Sequence, residues 1–408
     1  MQGSSDQLIF RILEIESRAG RIEGMFSADR ELGRIWRGQQ ALTEACRSVG
    51  MEDIHVFEGD VIHRHLENRM TDAEGARGAA TVSELLRVIV APGNLATDAE
   101  RVVERCRRAA VSVEKDDVPL DMREIAARLE RELTDAPTPL LGALRAATIF
   151  RMMTQSSMPS ADRLIFMAAE NSLRGAGQGS DMSPDRPDAL LRRMDASWIF
   201  TPSVALTQGK FRAWSPGASN GFHDLLDGVS QDLDRTLGAM PLLRRWRADA
   251  RATAAGRHGK SKLRDLVELV IREPILSAPH VRNMLGVSDR TSLYLMEEAQ
   301  SAGILTLITP RRSHRVWAQP QMANLLRMRA SRSTASRDPV RNDAPDEAAR
   351  DVAADTVQNP QPGASRASEA ARERAEFDAR AKVALAELDA AMQNVDAVLA
   401  KYRKGERL

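Results

Sequence analysis

Apolar side chains recur at Leu8, Ile9, Ile12, Leu13 and Ile15, the spacing of one helical face, and predict a helix over residues 8–19 that Gly20 and Gly24 interrupt. A second helix is expected from about Ser27 to Val49, with Leu32, Ile35, Trp36, Leu42 and Cys46 inward. Asp53 to Phe57 is open between a short strand and the start of a third helix running on through Val61, Ile62 and Leu66. Further helices are predicted over Thr81–Val90, Thr97–Val111, Asp121–Leu133, Leu140–Met153 and Ala161–Leu173. Val113 to Leu120, charged and carrying Pro119, reads as a loop. Met152, Met153, Met158 and Met167 sit at helical spacing and are assigned to core.

After Leu173 the pattern changes. Gly175 to Pro187 is rich in Gly, Ser, Asp and Pro and reads as a linker. Trp198-Ile199-Phe200 is a short apolar patch, and Trp214 to Asn220 a turn. Phe222 to Leu237 predicts an amphipathic helix, which leads into a basic run of Arg244, Arg245, Arg247, Arg251, Arg257, His258, Lys260 and Lys262.

The densest set of local signals lies between Lys260 and Ala318. Leu263, Leu266, Val267, Val270 and Ile271 share a helical face, and Pro274 ends that run. Ser277 can cap a helix over Ala278–Leu285, with Pro279 in its first turn and Gly286 closing it. Ser288 can cap a second helix over Asp289–Ala302, which Gly303 terminates. The β-rich run ILTLIT, the basic turn Pro310-Arg311-Arg312-Ser313-His314 and a return strand Arg315–Ala318 then predict a hairpin. This order is that of a winged helix-turn-helix, whose second helix enters the major groove of double-stranded DNA by its N-terminal side chains. Those are Ser288, Asp289, Arg290, Thr291 and Tyr294, with Arg311, Arg312, His314, Arg315, Lys260 and Lys262 expected on phosphate. Glu297 and Glu298 on the same helix count against DNA and favour a protein-docking surface instead.

Ser331 to Ser368 has almost no large apolar residues and is expected to be disordered. Beyond it Ala381, Leu385, Leu388, Met392, Val395, Leu399 and Tyr402 alternate by four and three, a seam of about three heptads. Homodimerisation through Leu385, Leu388, Met392, Val395, Leu399 and Tyr402 is one reading. Docking onto its own chain is the other, because three heptads are marginal alone.

The chain is therefore predicted to be mainly α. A helical N-terminal domain spans 7–174 and a helical connector 188–259. A winged helix-turn-helix spans 260–320, a disordered linker 331–368 and a C-terminal coiled-coil helix 369–404. Composition agrees: 408 residues, 43% hydrophobic but only 4% aromatic, suit helical cores of Leu, Ala, Val and Met. The net charge of +1 hides an asymmetry. Residues 244–330 hold 16 basic and 7 acidic side chains, a net +9, whereas residues 1–243 carry −7 and residues 331–408 carry −1. A basic segment inside a neutral chain is what a nucleic-acid module leaves in a sequence. Cys46 and Cys106 make neither a disulfide framework nor a zinc pattern and read as buried thiols in a reducing compartment. No apolar run reaches the ~20 residues of a membrane span, and MQGSSDQ lacks a secretory pattern, so a cytoplasmic location is expected.

Two stretches carry a resemblance: WRGQQALTEACRSVGMEDIHVFEGDVIHRHLENR, and LVELVIREPILSAPHVRNMLGVSDRTSLYLMEEAQSAGIL with the following hairpin ending in RVWA. Over roughly Leu8 to Ala318 the chain resembles an uncharacterised family of bacterial winged helix-turn-helix proteins, often plasmid-borne and distantly similar to Fic-family proteins. The resemblance implies a DNA-binding domain and a role in transcriptional regulation or plasmid maintenance. Catalytic Fic proteins transfer AMP through a motif of the form HPFxxGNGR. Here His223 is followed by Asp224 and Leu225, and Ala19 stands where Ser or Thr is expected ahead of Glu23-Gly24. The resemblance thus implies no AMP transfer, and its alternative is a non-catalytic Fic-like scaffold.

Other chemistry finds little support. Glu58, Asp60, His63, His65 and Glu67 are the densest potential metal ligands, but two histidines at i, i+2 do not share a helical face, and an exposed polar face is the expectation. There is no P-loop, no GxGxxG before a helix and no GxSxG. No catalytic residue, metal or cofactor is assigned.

Overall fold

A computed structural model of the chain describes residues 2–59, 61, 73–110, 121–155, 158–175, 196–208, 211–217, 219–257, 261–308 and 315–324. The described chain is mainly helical. In order it forms α1 (Gln2–Ala28), α2 (Arg30–Gly50), α3 (Ala73–Val90), α4 (Ala99–Ala109), α5 (Met122–Thr134), α6 (Pro139–Met153), α7 (Pro159–Arg174), α8 (Pro202–Thr207), α9 (Ser219–Ala255) and α10 (Leu263–Arg272). Then come β1 (Ile275–Ser277), α11 (Ala278–Leu285), α12 (Asp289–Ser301), β2 (Thr306–Leu307) and β3 (Val316–Ala318). Among the described residues no helix is long and apolar enough to cross a membrane.

Helix α1 does not stop at Gly20. Ala19, Ile22 and Phe26 extend its apolar stripe and are buried, which outweighs the ~1 kcal/mol that each interior glycine costs a helix. Asp29 ends one helix and caps the next, accepting from Leu32 N at 3.0 Å. Asp121 caps α5 and Thr138 caps α6, which has Pro139 at its first position. Helices α6 and α7 pack most closely of all. Alanines at 143, 146, 147, 161, 168 and 169, all 0% exposed, let their axes approach. Cys46 and Cys106 are buried free thiols, and burial pushes Cys106 up to about 12.

The apolar patch at 198–200 lies inside this core. Trp198, Ile199 and Phe200 are buried, and their irregular backbone must find partners there. One buried glutamate serves this patch and a second the start of α8 just after it. Glu170 of α7 accepts from Ile199 N at 2.9 Å and Phe200 N at 3.0 Å. Glu44 of α2 accepts from Ser203 N and Val204 N at 2.9 Å each, at the start of α8. Arg174 binds Glu170, Glu16 and Glu23, and its guanidinium lies 4.9 Å from the Phe200 ring centre.

Helix α9 is longer than its sequence suggests. The apolar stripe ends near Leu237 and Gly238 and Pro241 follow, yet the helix continues to Ala255. Pro241 forfeits one backbone bond. Met240, Leu243, Trp246, Ala250 and Ala254 keep burying the same side, so the segment read as connector and basic run is one strut about 55 Å long. Its first half packs on α8 and α1. A Cβ at Gly228 would stand 2.3 Å from the Ala205 carbonyl oxygen, so only glycine permits that approach. Its second half packs on α10.

The strands form one antiparallel sheet in the order β1-β3-β2. Ile275 pairs with Ala318, Leu276 with Trp317 and Ser277 with Val316, while Thr306 and Leu307 pair with Ala318 and Trp317. Strand β1 was not predicted, since three residues between Pro274 and the Ser277 cap are too few to show a period. A continuous cluster of buried side chains runs from Ile12 to Ala323.

Candidate nucleic-acid interface

The site is built on α10, α11 and α12 with the small sheet behind them. Leu263, Leu266, Val267, Val270 and Ile271 of α10 are buried as their spacing requires. Ser277 caps α11, accepting from His280 N at 3.4 Å. Gly286 follows α11 with φ of 63°, a left-handed conformation costly for any residue with a Cβ. Ser288 caps α12, accepting from Thr291 N at 3.2 Å. Helix α12 buries Ser292, Leu295, Met296 and Ala299. Gly303 closes it with φ of 71°. The Trp317 indole donates to Gln300 Oε1 at 2.8 Å and pins β3 to α12.

This leaves Asp289, Arg290, Thr291, Leu293, Tyr294 and Glu297 facing outward, with the Tyr294 side chain 64% exposed. Ser288 is exposed at the helix start. The sequence expectation for Ser288, Asp289, Arg290, Thr291 and Tyr294 thus coincides with one solvent-facing surface. Leu293 and Met284, also outward-facing, were not singled out. The signal was present for Leu293, which lies off the stripe of 292, 295, 296 and 299.

Each acidic residue of α12 has an arginine partner from another element. Asp289 meets Arg282 at 2.9 Å, Glu297 meets Arg315 at 2.8 Å and Glu298 meets Arg257 at 3.1 Å. Such exposed pairs stabilise by ~1 kcal/mol or less, but they cancel the field of the carboxylates. Among the described residues Arg290 has no ion pair.

Part of the basic run is already paired. Arg247 is bound by Asp29 and Glu31, and Arg251 by Glu31 and Glu268. Hydrogen bonding from Arg247 lowers the Asp29 pKa, and that from Arg251 lowers the Glu268 pKa. These five side chains tie the α1–α2 junction to α9 and α10. Arg264 donates to the Ala255 and Ala254 carbonyls at the end of α9.

Of the expected phosphate holders, Lys262 pairs with Asp265 at 2.8 Å within α10, and Arg315 with Glu297. Lys260, Arg311, Arg312 and His314 lie outside the described residues, as do Leu385, Leu388, Met392, Val395, Leu399 and Tyr402. So do the loop at 113–120, the linkers at 176–187 and 331–368, and Asp60, His63, His65 and Glu67. Glu58 is buried, and among the described residues no group of three or more His, Cys, Asp or Glu side chains is arranged to hold a metal ion. His223 is exposed near the start of α9 with Phe222 beside it.

No protein-family model matches the chain, and no curated protein matches it.

Proposed function

We propose that residues 260–320 are a winged helix-turn-helix that binds double-stranded DNA, with α12 as the helix that reads the major groove. The observation carrying this reading is the pairing of Asp289, Glu297 and Glu298 with Arg282, Arg315 and Arg257. It removes the acidic objection to α12 and leaves Arg290, beside exposed Tyr294, as the uncompensated charge. Arg290 reads base edges, Tyr294 packs against them, and Arg311, Arg312, Lys260 and Lys262 hold phosphates, as does Arg315, which meets Glu297 through one guanidinium nitrogen and bridges to phosphate with the others. We assign the protein to transcriptional regulation or plasmid maintenance in the cytoplasm, within the bacterial family it resembles.

The test is fluorescence anisotropy of the full chain with random duplex DNA at roughly 50 and 200 mM salt, followed by selection of a preferred site. Binding that weakens steeply with salt is expected. Arg290→Ala should then cost about 1–3 kcal/mol on the selected site and relax its specificity, with little change on random duplex. No binding at the lower salt would sink the proposal.

A second reading is favoured by a different observation. Met284, Leu293 and Tyr294 are all large apolar side chains exposed on α11 and α12. An apolar surface on such a module also suits docking of a protein partner. The same anisotropy experiment separates the two, since docking requires no DNA affinity.

A further inference from the structure

The C-terminal half of α9, the turn after α12 and the chain just beyond β3 enclose a groove of about 410 Å3. Trp246, Ala250 and Ile304 form its apolar floor. Leu242 stands at the rim, 57% exposed, and Arg245 and Asp249 lie one turn apart along the same wall. A cavity of ~150 Å3 accepts one benzene, so this groove has room for about three side chains of leucine size.

We propose that the groove is the docking site of the chain's own C-terminal amphipathic segment, which seats Leu385, Leu388 and Met392 in it. The described chain ends at Asn324, which itself lines the groove. Residues 325–384 connect that point to the seam, and ~60 residues with the dimensions of a random coil span ~40 Å, ample for a return. Leu385, Leu388 and Met392 are spaced i, i+3, i+7 and project from one helical side over about 10 Å. Charge also matches. Residues 383–400 carry Glu387, Asp389 and Asp396 and no basic side chain, whereas Arg245 has no ion pair among the described residues. Lys382, two turns before Asp389, offers the counter-charge for Asp249. A helix of three heptads is marginal in isolation, and burial in the groove supplies the packing it lacks. None of this depends on DNA binding.

Thr253, a half-buried residue of the groove wall, provides the reporter. In full-length Thr253→Cys the introduced thiol is the accessible one, because Cys46 and Cys106 are buried. The docked segment should protect it from a maleimide at every protein concentration. Adding Leu388→Asp with Met392→Asp should speed labelling by about tenfold or more. Leu242→Asp, at an exposed position that the fold tolerates, should do the same from the groove side. Equal rates with and without the seam substitutions would overturn the proposal. Protection that fades on dilution would also overturn it, and would seat the segment of a second copy instead.

Discussion

Salt dependence separates two accounts of the basic segment. If the whole basic run tracked the DNA backbone, Arg244, Arg245, Arg247, Arg251 and Arg257 would add to the five phosphate holders Lys260, Lys262, Arg311, Arg312 and Arg315. Ten neutralised phosphates give a slope of log affinity against log salt of about −9, and a fourfold rise in salt then lowers affinity by ~10⁵. The structure argues for the smaller number. Arg247, Arg251 and Arg257 are bound to Asp29, Glu31, Glu268 and Glu298, whose side chains are at most 41% exposed, and exchanging those carboxylates for phosphates would leave the acids unpaired. Arg244 acts on the same Asp29, and Arg245 faces the groove along α9, which takes both from the count. The partners of Lys262 and Arg315, Asp265 and Glu297, are each 52% exposed and can be exchanged for phosphate at little cost, so the five holders remain. Five contacts predict a slope near −4.5 and a loss of about 500-fold between 50 and 200 mM. The assay is anisotropy on a random duplex at five or six salt concentrations. Arg311→Gln with Arg312→Gln should flatten the slope by about 2, whereas Arg257→Gln should leave it unchanged. A parent slope steeper than about −7, or an unaltered slope in the double variant, would refute this division of the charges.

Two further outcomes concern the core. Glu170→Ala strands the Ile199 and Phe200 amides and removes one partner of buried Arg174, and should destabilise the fold by about 3–5 kcal/mol in urea titration; a loss under ~1 kcal/mol would mean that another acceptor reaches those amides. Asp162 is 0% exposed, its Oδ1 has no partner among the described residues, and burial, opposed by Arg151, pushes its pKa from 3.8 up to about 7. The folded state therefore holds a proton that the unfolded chain has released, so this contribution is full below pH 3.8 and is lost as pH rises through 7. Asp162→Asn should be more stable than the parent at pH 8 and show less decline between pH 5 and 8; identical stability profiles would exclude Asp162 as the cause.

What was legible in the sequence was local. Ser277, Gly286, Ser288 and Gly303 mark their helix ends within a residue, because capping and left-handed closure need only neighbouring backbone. The outward set Asp289, Arg290, Thr291 and Tyr294 followed from the same caps and a 3.6-residue period. What was not legible depended on distant partners. The buried amides of Ile199 and Phe200 are satisfied by Glu170 and those of Ser203 and Val204 by Glu44, which no spacing near residue 200 announces. Gly238 and Pro241 argued for a helix end, and only burial of Met240, Leu243 and Trp246 against other elements overrides them. The charge asymmetry is legible as a count but its pairing is not, since Asp29 and Glu31, which bind Arg247 and Arg251, lie more than 200 residues away in sequence.

Those partners also fix how α11 and α12 are carried. A connector between two domains would let it swing, whereas here α9 belongs to both sides. Its first half is buried against α1 and α8, and the Trp246 indole in its second half donates to the Ile304 carbonyl at 3.1 Å, just past α12. Gln39 of α2 bonds Gln319 beyond β3 in a buried contact 280 residues apart in sequence, and Gln319 N donates to the Pro274 carbonyl. With the Asp29, Glu31, Arg247, Arg251 and Glu268 cluster, α12 is held at three separate places against the body that carries Glu44 and Glu170. A rigid mount of this kind fixes the direction in which Arg290 and Tyr294 face. Any partner engaging them must therefore meet α12 in one fixed orientation relative to the helical body, a constraint that an independently tethered module would not impose.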